Sequence, residues 1–177
     1  MRARKDADFI ISGGLWWNKD NVSHSLNLLI REGQQIQSGV YSKFGLKIFK
    51  DKTCKMEQYS WTNNLKDMLG GSPSLIKDGK KYIDKGKMEN YILTSKQPRA
   101  AIGLNDTYIF LVTIDGRKPG KVGATIHELA NTMLELGCTD AMAGDGGGTA
   151  RIENRVGALN DPTENRASNN AITIKLA

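Results

Sequence analysis

Residues Gly144-Asp145-Gly146-Gly147-Gly148-Thr149 put one carboxylate, three consecutive glycines and a hydroxyl into a single short stretch. Three glycines in a row forgo side-chain packing and raise the entropic cost of folding, so something local must require them. One such requirement is a ligand that comes close to bare backbone N–H groups, as at phosphate and oxyanion sites. Asp145 beside that backbone could then serve as nucleophile, base or metal ligand. The competing reading is a tight turn between two strands, with Asp145 an ordinary turn residue.

The surrounding elements decide what such a loop can meet. Asp8 to Ser12 reads as a short buried strand ending at Gly13-Gly14, and Leu26 to Ile30 as another with a turn at Glu32-Gly33. Phe44 to Phe49 alternates, with Phe44, Leu46 and Ile48 on one side and Lys47 on the other, as in a half-exposed strand. Thr62 to Leu69 has the spacing of a short helix, carrying Leu65, Met68 and Leu69 on one side before Gly70-Gly71. Leu75 to Ile83 is a hairpin around Asp78-Gly79. A second hairpin pairs Ala100–Leu104 with Thr107–Ile114, the later strand being read as the buried one. Ile126 to Leu136 is the clearest helix: Ile126, Leu129, Ala130, Met133 and Leu134 form one apolar stripe. Thr125 and Glu128 fit a capping box at its start, and Gly137 fits its end. Asp140 to Met142 is a short strand delivering the glycine loop, Thr149 to Ile152 leaves it, and Ala171 to Leu176 is a last strand. Strands outnumber helices and are mostly hairpin-connected. The expected class is α+β, a mixed, mainly antiparallel sheet with few helices, in one domain over residues 1–177.

With 177 residues and ordinary apolar content the chain can bury a real core. No apolar run approaches the ~20 residues of a membrane span, and the segment after the basic N-terminus is too short for a signal-peptide core. The expectation is a cytoplasmic protein, or part of a larger phage or secreted one, with no membrane partner. Cys54 and Cys138 lack metal-ligand spacing and read as buried thiols. Residues 1–98 hold seventeen Lys and Arg against ten Asp and Glu, residues 99–177 eight against nine, within an overall charge of +6. A basic half suits an acidic ligand or a solvated surface. Its lysines are not interleaved with stacking aromatics, so nucleic acid is disfavoured as a partner.

An ordered set of short motifs adds a resemblance. It runs Gly71-Ser72-Pro73-Ser74-Leu75-Ile76-Lys77-Asp78-Gly79-Lys80, Pro98-Arg99-Ala100-Ala101-Ile102-Gly103, Thr113-Ile114-Asp115-Gly116-Arg117 and Glu128-Leu129-Ala130. Leu136-Gly137-Cys138-Thr139-Asp140-Ala141 then leads into Asp145-Gly146-Gly147-Gly148-Thr149, followed by Asn160-Asp161-Pro162 and Arg166. This succession resembles the phosphodiester glycosidase family, the domain of the mannose-6-phosphate uncovering enzyme and of many bacterial and phage proteins. Individually weak, the pieces are specific as a set and cover nearly the whole chain.

The resemblance implies cleavage of a sugar-1-phosphodiester at its glycosidic bond, giving free sugar and a phosphomonoester, with a sugar phosphate or nucleotide sugar as ligand. Such chemistry needs a carboxylate near the anomeric carbon. The departing phosphate is weakly basic, so cations that hold it can replace much of a general acid's work, and arginine's planar fork suits that task. Asp145, Glu128 and Asp115 are the candidate catalytic acids; capping explains Glu128 and a strand-end turn explains Asp115 without any chemistry. Arg99, Arg166 and Arg117 are the candidate phosphate ligands, with Gly146, Gly147 and Gly148 offering N–H groups and Thr149 a hydroxyl. Ser12 and Asn160 are further binding candidates, each also readable as a turn residue. Trp16 or Trp17 could stack on a sugar. No cofactor is required by this chemistry, and a divalent cation such as calcium or magnesium beside Asp145 and Asp115 stays open. Departures at Ser12-Gly13-Gly14-Leu15-Trp16, at Ala143-Gly144 and at Thr149 keep a second reading alive, a non-catalytic module that binds a nucleotide or sugar phosphate. A third is a domain of a virion or surface protein that attacks phosphodiester-linked wall or capsule polymers.

Overall fold

A computed structural model of the chain describes residues 6–20, 22–165 and 167–176. The chain starts with β1 (Phe9–Ser12) and a two-stranded ribbon, β2 (Trp16–Lys19) and β3 (Val22–Ser25). Next come β4 (Leu28–Arg31), β5 (Gln34–Ser38), β6 (Phe44–Phe49), β7 (Cys54–Gln58) and β8 (Leu65–Gly70), which form one five-stranded sheet in the order β5-β4-β8-β6-β7. A second sheet, ordered β10-β9-β13-β11-β12, is built from β9 (Ser74–Lys77), β10 (Lys80–Asp84), β11 (Arg99–Leu104), β12 (Ile109–Ile114) and β13 (Asp140–Ala143). Helices α1 (Asn90–Thr94) and α2 (Ile126–Glu135) flank β11–β12 in sequence, and β14 (Ile152–Asn154) and β15 (Ala171–Ile174) embrace β1 in a three-stranded sheet. All pairings among the described residues are antiparallel, so the class is largely β with one substantial helix.

Strand alternation divides β11 between two cores. Ala100, Ile102 and Leu104 pack with Ile11, Phe44, Leu46, Leu69 and Met142 between the sheets. Ala101 faces the other way, against Ile126, Leu129, Ala130 and Met133 of α2. Gly103 belongs to that helix side, where an added Cβ would stand 2.5 Å from Cys138 Sγ and 2.7 Å from Met133 Cε. Glycine there lets α2 lie close on the sheet.

Three expectations are corrected. The helix expected at Thr62–Leu69 is strand β8. A register shift opposite Ile48 and Phe49 inserts one extra residue into β8, so Leu65 and Met68, three apart, both reach the core formed with Leu28 and Ile30. Leu69 points to the inter-sheet core instead. A bulged strand thereby copies helical spacing, and pairing on both sides selects the strand. The fully buried strand of the second hairpin is β11, not the later β12, which lies at the sheet edge with Ile109 exposed. Lys47 is completely buried within β6 rather than solvated, its ammonium bonded to Glu57 at 2.8 Å and to Ser60 Oγ at 2.9 Å. Two further expectations hold: Asp78-Gly79 turns β9 into β10 with positive φ at both residues, and the Thr125–Glu128 capping box opens α2. Cys138 is buried, which pushes its thiol up to about 11, and Cys54 is half-buried; both are free.

Candidate active site

Strand β13 runs between β9 and β11 and releases the glycine loop beside the start of β11. The loop is pinned by its backbone there: Gly144 N–H donates to Ala100 O (2.9 Å), Asp145 N–H to Gly13 O (2.6 Å) and Gly147 N–H to Pro98 O (2.8 Å). β13 and β14 lie in different sheets, so the loop is a crossing from one to the other and not a turn between paired strands. Gly147–Thr149 closes it as a single 3-10 turn, with Gly147 at φ +71°. Because the Gly147 N–H is committed to Pro98, it is withdrawn from the donors expected to meet phosphate.

The Asp145 carboxylate is buried under Trp16. Its Oδ2 accepts the Trp16 indole N–H at 2.9 Å and the Thr149 hydroxyl at 3.0 Å. Thr149 therefore orients Asp145 and does not offer its proton to a ligand. Ser12, fully buried, donates to Thr149 O at 2.8 Å and accepts from Arg151 N at 3.0 Å, which makes it a tie between β1 and the loop's exit rather than a ligand contact. Trp17 is half exposed beside His24, with the rings 6.0 Å apart.

A cleft of about 200 Å³ opens at the loop, lined by Leu15, Gly144 and Gly146 but not by Asp145 itself. Arg99 and Arg117 line it together with Gly144, Gly146 and Gly147, and with Ser72-Pro73, Met88, Tyr91 and Ile92. Arg99 is held by three backbone carbonyls: Nε donates to Ala124 O (2.8 Å), and Nη2 to Ile92 O and Ser95 O (both 2.7 Å). Its Nη1 takes no part in those bonds, and its side chain passes over Gly146, with Cδ 3.7 Å from where a Cβ would stand. Burial, aided by repulsion from Arg117, lowers the Arg99 pKa to about 10, so the group stays charged at neutral pH. Arg117, in the left-handed region at φ +59°, bonds Gln97 Oε1 at 2.6 Å and lays its guanidinium over Gly147. Two cations thus converge on bare backbone. Arg166 lies outside the described residues.

The other expected acids are placed elsewhere. Asp115 Oδ1 accepts from Asn160 Nδ2 and Asp161 N (both 3.0 Å), and its Oδ2 accepts from Lys121 at 3.1 Å. Burial acts to raise its pKa, but those hydrogen bonds prevail and hold it below the usual carboxylate value. Asn160 spends its remaining polar atoms on Ala150 O and Ile152 N, both at 2.9 Å. Neither lines the cleft. With the ion pairs Lys118–Asp161 and Lys121–Asp161, they tie the 115–121 loop to the 160–162 loop and so hold Arg117 in position. Glu128 is likewise away from the cleft, bonded to Thr125 N at 2.8 Å and paired with Lys96 at 3.1 Å. The Thr125 backbone N–H, then Lys96, hold its carboxyl at about 2. Capping accounts for it.

Two participants escaped sequence reasoning. Glu164 packs its carboxylate on Gly148 and pairs with Arg117, and its signal was its place two residues before Arg166 in the last motif. The apolar residues in and just before α1 carried no signal, because Met88, Tyr91 and Ile92 match no motif. Among the described residues no three His, Cys, Asp or Glu gather as a metal site, and no helix is long and apolar enough to cross a membrane. A larger open groove of about 1040 Å³ lies at the far end of β11, mixing Lys52, Lys55 and Lys77 with Glu57, Asp78 and Asp140. It contains none of the candidate catalytic or phosphate-binding residues and no buried cation beside open backbone, so the smaller cleft is the candidate site.

The fold and motifs have counterparts. The catalytic domain of zebrafish N-acetylglucosamine-1-phosphodiester alpha-N-acetylglucosaminidase, solved in a form auto-inhibited by its pro-peptide, superposes with a TM-score of 0.83 over 97% of this chain and 64% of that one, at 18% identity. A putative exported protein of Burkholderia pseudomallei K96243 gives 0.68 at 12% identity, over 99% of this chain and 67% of its own. At such identities the likeness is one of fold. The SPbeta prophage-derived uncharacterized protein YomE of Bacillus subtilis (strain 168) is 37% identical over 60 residues, 33% of this chain and only 9% of that protein's length. The family model described as phosphodiester glycosidase matches residues 5–175, and the chain belongs to that family.

Proposed function

We propose that this domain hydrolyses the glycosidic bond of a sugar-1-phosphodiester, releasing free sugar and a phosphomonoester. The observation that carries this reading is the cleft in which Arg99 and Arg117, close enough to repel each other, face the Gly144–Gly147 backbone. An anion seated there would relieve that repulsion and meet Nη1 of Arg99. The two arginines would then stabilise negative charge as it builds on the departing phosphate, whose second pKa near 6 already makes it a good leaving group. The phosphate would sit in the cleft and the sugar toward Asp145 and Trp16. Asp145, fixed through Oδ2 by Trp16 and Thr149, is proposed as nucleophile or base. The zebrafish enzyme's name carries N-acetylglucosamine-1-phosphodiester, a compound of the proposed sugar-phosphodiester class. No cofactor enters these steps.

The test is a panel of glycosyl-1-phosphodiesters, including UDP-sugars, assayed for free sugar with and without a chelator. Sugar release should be lost by about 10²-fold or more in Asp145→Asn. An unchanged rate in that variant removes Asp145 from the mechanism, and no release from any diester by folded protein defeats the catalytic reading. Loss of activity on chelation would add a cation. A binding module is the second reading, favoured by the burial of Asp145 away from the cleft's lining. Calorimetry that finds tight binding without turnover over hours would establish it. A polymeric diester as substrate is tested by the same panel extended to wall and capsule polymers.

A further inference from the structure

Glu164 is set against both halves of the anion-binding face. Its backbone N–H donates to Gly148 O at 2.9 Å, and its carboxylate fills the space into which a Cβ on Gly148 would project. Its Oε1 lies 3.7 Å from Nη1 of Arg117, whose guanidinium covers Gly147. A carboxylate therefore stands beside Arg117, one of the two cleft cations, and beside Gly148, which follows the cleft-lining Gly147. Both partners of this pair are partly exposed, so a soluble anion reaches them without disturbing the core.

We propose that Glu164 is a specificity-determining residue that allows the cleft to hold a phosphodiester and disfavours the phosphomonoester produced from it. The inference rests on the phosphodiester reading above. A diester carries one negative charge, whereas a monoester carries roughly −1.5 to −2 at neutral pH. Two arginines by themselves would hold the more highly charged product more tightly than the substrate. A carboxylate beside Arg117 offsets part of that attraction and repels the extra charge, which falls on the product alone. Hydrolysis creates this charge when water adds its hydroxyl to the sugar carbon and a proton is shed from the reacting groups. Cleavage thus converts a tolerated ligand into a repelled one.

Calorimetric titration decides the matter, using phenyl phosphate as monoester and N-acetylglucosamine 1-(phenyl phosphate) as its parent diester. In the unaltered protein, phenyl phosphate should bind no more tightly at about pH 8 than at about pH 5, although its charge rises between them. Glu164→Gln should tighten phenyl phosphate at the higher pH by about tenfold, and the diester by less than about threefold. Equal tightening of both ligands, no tightening, or stronger monoester binding at high pH in the unaltered protein would overturn the proposal. If the variant fails to fold, the pH comparison in the unaltered protein decides alone. Binding of neither probe would instead defeat the phosphodiester reading, and this inference with it.

Discussion

Arg99 carries the cleft and part of the fold at once. Three carbonyls, from Ile92, Ser95 and Ala124, take hydrogen bonds from two of its guanidinium nitrogens, and Nη1, which takes none of these bonds, is the atom proposed to meet a ligand. Lysine keeps the charge but cannot span those acceptors. Arg99→Lys is therefore expected to lower stability by about 1–3 kcal/mol, the cost of leaving buried acceptors unpaired, and to weaken phosphate binding by about tenfold or more. Denaturant melts and calorimetry on one preparation read both. A variant as stable as the parent would show that water replaces the fork. At this scale the sequence was legible in types and poorly legible in roles. Asp145, Thr149, Ser12, Arg99 and Arg117 do converge on one loop, as the motif set implies. Which atom donates to which was hidden: Ser12, Thr149 and Asn160 turn out to serve neighbouring protein groups. A hydroxyl or amide in a motif reads the same whether its partner is a ligand or a carbonyl.

Among the elements, α2 shows how a signal can be real and its chemical reading still fail. The capping box forms with both of its hydrogen bonds, Glu128 N to Thr125 Oγ1 at 3.1 Å and Thr125 N to Glu128 Oε2 at 2.8 Å. The same contacts that depress the Glu128 pKa to about 2 make the carboxylate stabilising. With the folded pKa below the ordinary value of 4.5, the contribution is fully present above about pH 4.5 and disappears as pH falls toward about 2. Glu128→Gln should therefore flatten the decline of Tm across that window relative to the unaltered protein. At neutral pH it should leave diester turnover within about twofold, as for a residue that touches no reacting group. A steep loss of kcat would return Glu128 to the catalytic set. Thr125→Ala should cost about 1 kcal/mol, the typical worth of an N-cap hydroxyl. The strand β8 is the opposite case. Its apolar spacing was visible in Leu65, Met68 and Leu69, but the bulge producing that spacing depends on the register with β6, a long-range property absent from any local window.

For the molecule as a whole, the two-sheet sandwich with α2 on its outer face separates stability from binding. The inter-sheet core draws Ile11, Phe44, Leu46, Leu69, Ile102 and Met142 from strands far apart in sequence, which is why local reading found these strands, β8 excepted, but not their order. Arg99, the first residue of β11, and the backbone of the loop after β13 line the cleft, whereas Ile102 sits mid-strand and fully buried. At about 3.3 Å per residue, Ile102 lies roughly 10 Å along the strand from Arg99. Ile102→Ala deletes methyl and methylene groups from a close-packed interior, so it should cost about 2–5 kcal/mol, depending on how far the sheets relax into the space. Loops anchored by backbone bonds to Gly13, Pro98 and Ala100 do not share that cavity. Below its lowered Tm the variant should accordingly bind the diester with unchanged affinity, sites that far apart being close to additive. Calorimetric titration at low temperature beside a thermal melt makes the comparison. A matched loss of affinity in the still-folded variant would show that β11 transmits core packing to Arg99, and the cleft would then have to be treated as part of the core rather than as a site mounted at its edge.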